Sequence, residues 1–243
     1  MAMTYGDCWR TVRLYCPSAP TFLAREWVNA AWKQLLAARR WGFMRAELTL
    51  TPLVGDVYAT MPPDFGSFLI VVDTARQVRL CFWHSLDELA RVDPAGTYTG
   101  PPTALVAATP STDPLTLGQV RYRYYPSGSP ATLTAVYQRQ GDRLTDGDVL
   151  TGVLADGGEV LIAGALMQAA MWPGTADKAN PYFNATLAQG KRTEFQTGVQ
   201  MLSLRDDEQY PTDLWDSWPV ADCGCLESGD ADLRASDASA HSY

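Results

Sequence analysis

Ala24-Arg25-Glu26-Trp27-Val28-Asn29-Ala30-Ala31-Trp32-Lys33-Gln34-Leu35-Leu36 sets Ala24, Trp27, Val28, Ala31, Trp32, Leu35 and Leu36 at i, i+3, i+4, i+7, i+8, i+11 and i+12. That spacing draws one apolar stripe down a helix of about five turns, with Glu26, Lys33, Arg39 and Arg40 off it. Ser18-Ala19-Pro20-Thr21 reads as the helix start, Ser18 as its cap and Pro20 in its first turn, and Gly42 as its end. A helix with one apolar face needs other helices or a sheet to cover it, so the rest of the chain is read for its partners.

Upstream, Tyr5 to Tyr15 predicts a short helix with Trp9, Val12, Leu14 and Tyr15 on its apolar face, stopped by Pro17. Downstream, helical periodicity returns near Asp156, with Glu159 three residues on as in a capping box. Leu161, Ile162, Ala165, Leu166, Ala169 and Ala170 form its stripe, and Pro173-Gly174 ends it. A last helix is expected from Asn180-Pro181, carrying Phe183, Leu187, Phe195, Val199 and Leu202, with periodicity ending at Arg205.

Between the two helical pairs the period becomes that of strands. Glu47–Thr51, Val57–Thr60, Gln77–Trp83, Thr103–Ala107, Gln119–Tyr125 and Ala131–Tyr137 are short, mostly alternating and rich in β-branched or aromatic residues. Pro62-Pro63-Asp64, Gly100-Pro101-Pro102, Thr109-Pro110 and Pro126-Ser127-Gly128 punctuate them, and Ser85 to Arg91 reads as a helical turn or two. The expectation is an α+β chain: a helical bundle from residues 1–44 and 150–205, an inserted β-sandwich or barrel-like domain over 45–149, and an extended acidic tail over 206–243. The expected bundle core is Trp27, Val28, Ala31, Trp32, Leu35, Leu161, Ile162, Leu166, Phe183, Leu187, Phe195 and Val199.

The chain has 243 residues and a net charge of −8, and the charge is not spread evenly. Residues 1–203 hold 17 basic and 17 acidic residues, whereas residues 204–243 hold two basic and ten acidic ones. A neutral body with an acidic tail lacks the basic stripe of a tight nucleic-acid binder. Apolar runs such as Phe68-Leu69-Ile70-Val71-Val72 are far shorter than the roughly 20 residues of a membrane span. Met1-Ala2-Met3-Thr4 has neither the basic flank nor the apolar core of a secretory signal. Five cysteines in no tight framework suggest a reducing compartment.

Catalytic patterns are missing from the sequence. His84 and His241 are its only histidines, there is no Gly-x-Ser-x-Gly elbow, and neither phosphate-binding glycine motif occurs. Asp142, Asp146 and Asp148 lack the ligand spacing of a calcium loop and read as a polar turn. Cys223-Gly224-Cys225 supplies two thiols where a closed zinc site needs four ligands. No catalytic residue, cofactor or metal is therefore assigned. Tyr122, Tyr124 and Tyr125 on one strand would suit either cross-strand packing or a stacking platform. Tyr210, Leu214, Trp215 and Trp218, set among aspartates, cannot form a core of their own; they either fold back or anchor the chain to a partner.

Several local phrases resemble one family. Tyr5 to Phe43, with its short helix, Cys-Pro-Ser-Ala-Pro turn and long Trp-containing helix, is similar to the opening of the head-to-tail adaptor (connector or neck) proteins of tailed bacteriophages. So are Gly55-Asp56-Val57-Tyr58 to Met61-Pro62-Pro63-Asp64, the stretch from Gly100-Pro101-Pro102-Thr103 through Leu115-Thr116-Leu117 to Tyr125-Pro126, and the Ala-rich helix from Leu161 to Trp172. The resemblance covers residues 4–205 and leaves the tail unmatched. It implies a structural virion protein of the neck, made in the host cytoplasm and assembled as a dodecameric ring beneath the portal. That ring would continue the DNA channel to a tail or nozzle protein, with no membrane contact and no sequence-specific DNA binding. It also implies portal docking by the C-terminal segment, here Tyr210, Leu214, Trp215 and Trp218. Two rival readings are a carbohydrate- or receptor-binding module using Tyr122, Tyr124 and Tyr125, and a cell-wall hydrolase using carboxylates such as Asp64, Asp87 and Glu88.

Overall fold

The computed structural model describes residues 3–150, 152–155, 157–175, 178–210 and 218–221. Among these residues lies a mixed α+β fold with five α-helices and several sheets, none of them closed. The chain divides into two compact units. One comprises Met1–Ala46, Asp64–Ser67 and Tyr137–Leu214; the other comprises Glu47–Pro63, Phe68–Val136 and Trp215–Tyr243.

The first unit holds α1 (Tyr5–Tyr15), α2 (Thr21–Ala38), α4 (Gly158–Met171) and α5 (Ala185–Gln209); α3 (Leu86–Val92) belongs to the second. Helix α1 starts at a capping box in which Thr4 Oγ1 accepts the Asp7 N–H at 3.1 Å and the Asp7 carboxylate accepts the Thr4 N–H at 3.0 Å. Its buried face is Tyr5, Cys8, Trp9 and Val12. Leu14 and Tyr15, expected on that face, are exposed: Leu14 sits half a turn round from Tyr5, and Cys16 takes the buried position at the helix end. On α2 the stripe Ala24, Trp27, Val28, Ala31, Trp32 and Leu35 is buried. Ser18 does not cap this helix. Pro20 occupies the N-cap, and Ser18 pairs with the Tyr182 hydroxyl through both its amide and its side chain. The helix ends at Arg39, whose backbone is extended, before Gly42 is reached.

Helix α4 contacts α1, α2 and α5, and so it is buried on more than the one stripe its sequence suggests. Ala163, Gly164 and Met167 are buried along with Leu161, Ala165, Leu166, Ala169 and Ala170. A Cβ on Gly164 would lie 2.8 Å from both the Ala31 Cβ and the Phe195 ring, so glycine is what lets α2 and α5 come this close. Gly198 on α5 is equally tight, 2.5 Å from Val160. Phe195 and Leu202 are buried, while Ile162 and Val199 are half-buried and pack on the same core.

Phe183 and Leu187 are not core residues; they are 52% and 46% exposed. The physical reason is the position of the helix start. Asn184 is the N-cap of α5, accepting the Leu187 N–H at 3.0 Å, so Phe183 precedes the helix and Leu187 faces out of its first turn. The Asn180–Asn184 stretch instead closes the end of α4. Asn180 is buried and donates to the carbonyls of Ala169 at 2.7 Å and Trp172 at 2.6 Å, two of the orphan acceptors at that end. Likewise α4 starts at Gly158 with Gly157 as its N-cap, and Asp156 lies outside the described residues.

From Tyr137, near the end of β10 (Leu133–Arg139), the chain belongs to the helical unit, and the loop after Arg139 is fixed to its helices. Trp9 Nε1 donates to Asp146 Oδ1 at 2.9 Å, Trp32 Nε1 donates to the Asp142 carbonyl at 3.0 Å, and Arg25 pairs with Asp146. Buried Asn29 accepts the Leu144 N–H at 2.8 Å and donates to the Tyr5 hydroxyl at 2.7 Å. The Asp142–Asp148 turn is thus a clamp across α1 and α2.

Among the strands, β2 (Tyr58–Thr60), β8 (Arg121–Tyr125), β7 (Ala104–Ala108) and β5 (Cys81–Trp83) form one sheet in that order, antiparallel except for the β7–β5 pair. A second sheet has the order β1 (Arg45–Leu50), β10 (Leu133–Arg139), β3 (Phe65–Asp73), β4 (Val78–Arg79). Two short pairs complete the list, β6 (Thr99–Gly100) with β9 (Ser127–Gly128) and β11 (Gly174–Thr175) with β12 (Lys178–Ala179). Strand β3 contains the apolar run Phe68–Val72, whose lack of alternation hides it from a period-2 reading. Gln77–Trp83, expected as one strand, switches sheets at Leu80. There the Leu80 N–H bonds the Val71 carbonyl at 2.8 Å and the next amide, Cys81, bonds the Thr103 carbonyl at 2.9 Å.

Candidate functional site

The residues expected to carry function are those where α5 ends. Asp206, Asp207 and Glu208 fall in its last turn, where carboxylates oppose the helix dipole. The compensation comes from α2. Arg39 reaches Asp207 with a two-pronged contact at 2.5 and 3.0 Å and also donates to the Ser203 carbonyl at 3.2 Å. The Arg39 guanidinium holds the Asp207 carboxyl below its usual range and is itself pushed up in return. Asp206, 1% exposed, turns inward and accepts the backbone N–H groups of Gly42 at 2.6 Å and Phe43 at 3.1 Å.

Tyr210 follows directly. Its backbone N–H closes on the Asp206 carbonyl at 2.9 Å, its own carbonyl accepts from Arg45, and a Cβ on Gly42 would lie 2.4 Å from the Tyr210 Cβ. Tyr210 is therefore part of the lock between α5 and the Gly42–Met44 turn and not a free anchor. Leu214 and Trp215 lie outside the described residues, as do Cys223, Cys225 and His241. Trp218 is half-buried, and the residues after it pair with β4: Arg79 donates to the Pro219 carbonyl at 2.9 Å and accepts from Ala221 at 2.7 Å. This stretch folds back on its own unit.

The other sequence candidates have structural partners. Tyr124 and Tyr125 are buried, and burial pushes the Tyr124 hydroxyl up to about 12. Tyr125 packs against Trp83 of β5 at 5.0 Å between ring centroids, and Tyr122 packs against Phe68 of β3, in the other sheet, at 4.8 Å, so these rings serve as packing. Asp64 accepts from the Tyr137 hydroxyl at 3.1 Å, and Glu88 accepts the His84 backbone N–H at 3.2 Å. Cys8 and Cys16 are free and buried, with burial lifting the Cys8 thiol to about 12. Cys81 is disulfide-bonded, which departs from the expectation of reduced thiols throughout. Among the described residues no three His, Cys, Asp or Glu side chains converge as a metal site would require, and no helix is long and apolar enough to cross a membrane.

Among the described residues, two of the cavities are lined by charged side chains. One, of about 270 Å³, lies between Leu89, Asp93, Tyr98, Arg123 and Tyr125 of the second unit. Its carboxylate is already committed, since Asp93 accepts the Thr97 and Tyr98 amides at 3.0 and 3.1 Å. The other, of about 440 Å³, is a groove on the helical unit lined by Lys33, Leu36, Arg39, Arg40, Gln138 and Arg139, among others. No sequence motif announces that groove, because its basic residues come from the end of α2 and the end of β10.

The arrangement offers surfaces and locks, with no assembled catalytic group. No curated protein matches the chain. A family model described as SU10 adaptor protein matches residues 3–214, which takes in the whole of α5 and all of the second unit except Trp215–Tyr243. On that match the chain belongs to the SU10 adaptor protein family, structural head-to-tail adaptors of bacteriophage virions.

Proposed function

We propose that this protein is a neck subunit in which a helical bundle carries a sandwich-like β insertion, and in which copies assemble as a dodecameric ring beneath the portal. The ring continues the DNA channel toward a tail or nozzle protein and passes DNA without sequence-specific contacts. The observation that carries the reading is the family match along residues 3–214. Two features support it. Leu14, Tyr15, Phe22, Phe183 and Leu187 of the helical unit are large, apolar and exposed, as surfaces awaiting subunit contacts are. The neutral balance of residues 1–203 also suits a channel, because strong phosphate contacts by a basic wall would release counterions and hold the DNA in place.

Docking to the portal falls, in this reading, to the stretch after α5, with Leu214 and Trp215 as anchors; Tyr210 is held within the chain, and Pro219 and Ala221 beside Trp218 pair with Arg79. The test is added mass on purified portal rings for the full chain and for a chain ending at Tyr210. A cut before Asp206 would remove the α5 lock and confound the result, so the truncation keeps it. The full chain binds and the truncation does not. A full chain carrying Leu214→Ala and Trp215→Ala loses about tenfold or more in affinity, the loss typical of aromatic anchors. Equal binding by all three moves docking to the helical unit, and no binding by any overturns the portal reading.

A further inference from the structure

The groove at the end of α2 has a chemistry that the adaptor reading does not use. Its cations are Lys33, Arg39, Arg40 and Arg139. Arg39 is neutralised by Asp207, but among the described residues Lys33, Arg40 and Arg139 face no carboxylate partner. Leu36 and Met44 give the groove apolar walls. Gln138 also lines it. The Gln138 Nε2 donates to the Trp41 carbonyl at 3.2 Å, while its Oε1 is buried with no hydrogen-bond partner.

Three cations without a carboxylate leave the groove positive, so its occupant brings negative charge. An acidic peptide supplies carboxylates for Lys33, Arg40 and Arg139 and apolar side chains for Leu36 and Met44, which a phosphodiester backbone does not. The chain has such a segment. Residues 222–243 hold Asp222, Glu227, Asp230, Asp232 and Asp237 against Arg234 alone, whereas residues 1–203 are neutral.

We propose that the groove formed by Lys33, Arg40, Gln138 and Arg139 binds the acidic segment 222–243 of a second copy of this chain. The groove and the segment are different surfaces, so the contact is head-to-tail. Contacts of that kind close into rings when the rotation allows. The inference therefore rests on the ring reading above and names one of its subunit contacts. Each contact is electrostatic and weak alone, and repetition around a closed ring multiplies it.

The probe is a fluorescent synthetic peptide of residues 222–243, titrated into the full chain. The peptide binds at low salt, and raising salt about tenfold weakens it by about tenfold or more, as for exposed charge contacts. Lys33→Glu with Arg40→Glu, two exposed positions with no side-chain hydrogen bond among the described residues, abolishes binding without shifting the melting temperature. A peptide with its five acidic residues replaced by amides does not bind. A DNA duplex of similar length does not displace the wild-type peptide. In a mixture of unlabelled and nitrogen-15-labelled full chains concentrated well above the micromolar range, where the weak contact is populated, carbodiimide joins the Lys33 amine of one copy to a segment carboxylate of the other. The proposal is overturned if the peptide fails to bind, if the charge-reversed chain binds equally, if DNA takes the groove in its place, or if every Lys33 crosslink stays within one copy. Portal binding is read separately, so loss of peptide binding with normal mass added to portal rings sinks the groove alone.

Discussion

At the residue scale the chain turns on Asp206. One buried carboxylate satisfies the amides of Gly42 and Phe43, which lie more than 160 positions earlier in sequence. Removing it leaves two N–H groups without acceptors in or near the core. Asp206→Ala is therefore expected to cost about 2–4 kcal/mol in urea unfolding, against under about 0.5 for Glu208→Ala at an exposed position of the same turn. Equal midpoints for the two variants would refute the lock. Nothing local distinguishes Asp206 from its neighbours. In the run Asp206-Asp207-Glu208 all three read as tail acidity, and Gly42 reads as a helix stop, when its real constraint is the Tyr210 side chain at 2.4 Å from where a Cβ would sit. Short-range punctuation was more legible: the bounds Tyr5–Tyr15 follow from periodicity and Pro17, whereas the caps Thr4 and Ser85 are seen in the structure.

At the scale of elements, α4 and α5 make a paired test of packing against propensity. Replacing a helical glycine with alanine gains about 1 kcal/mol of helix propensity where there is room. Gly190 on α5 has open space around it, so Gly190→Ala raises the melting temperature. Gly164 sits against Ala31 and Phe195, so Gly164→Val forces the helices apart and costs about 1–3 kcal/mol. A Gly164→Val protein as stable as wild type would mean that α2 and α5 do not approach α4 as described. The stripe of α2 was readable because a helix covered on one side advertises its period. That of α4 was readable only in part, since a helix contacted by three others is apolar nearly all round and its period fades. Strand β3 was hidden for a related reason, as an unbroken apolar run carries no alternation.

On the scale of the whole molecule, assembly decides function. The purified chain at micromolar concentration is expected to sediment as a monomer and to assemble only on portal rings, because premature rings would block ordered construction of the neck. Stable rings in dilute solution would overturn templated assembly. By itself the sequence determined the α+β class, the four helical segments that flank the strands, the neutral body with an acidic tail and the likeness to phage adaptors. These follow from periodicity, composition and short phrases, all of which survive without knowledge of contacts. Only the tertiary structure decided that 137–149 clamps the helices, that Phe183 and Leu187 lie outside the core, and that Tyr210 and Pro219–Ala221 are held within the chain. It also decided that Lys33, Arg40 and Arg139 meet in one groove. Each of these depends on residues far apart in sequence, whose proximity is set by packing and hydrogen bonding that no local pattern encodes.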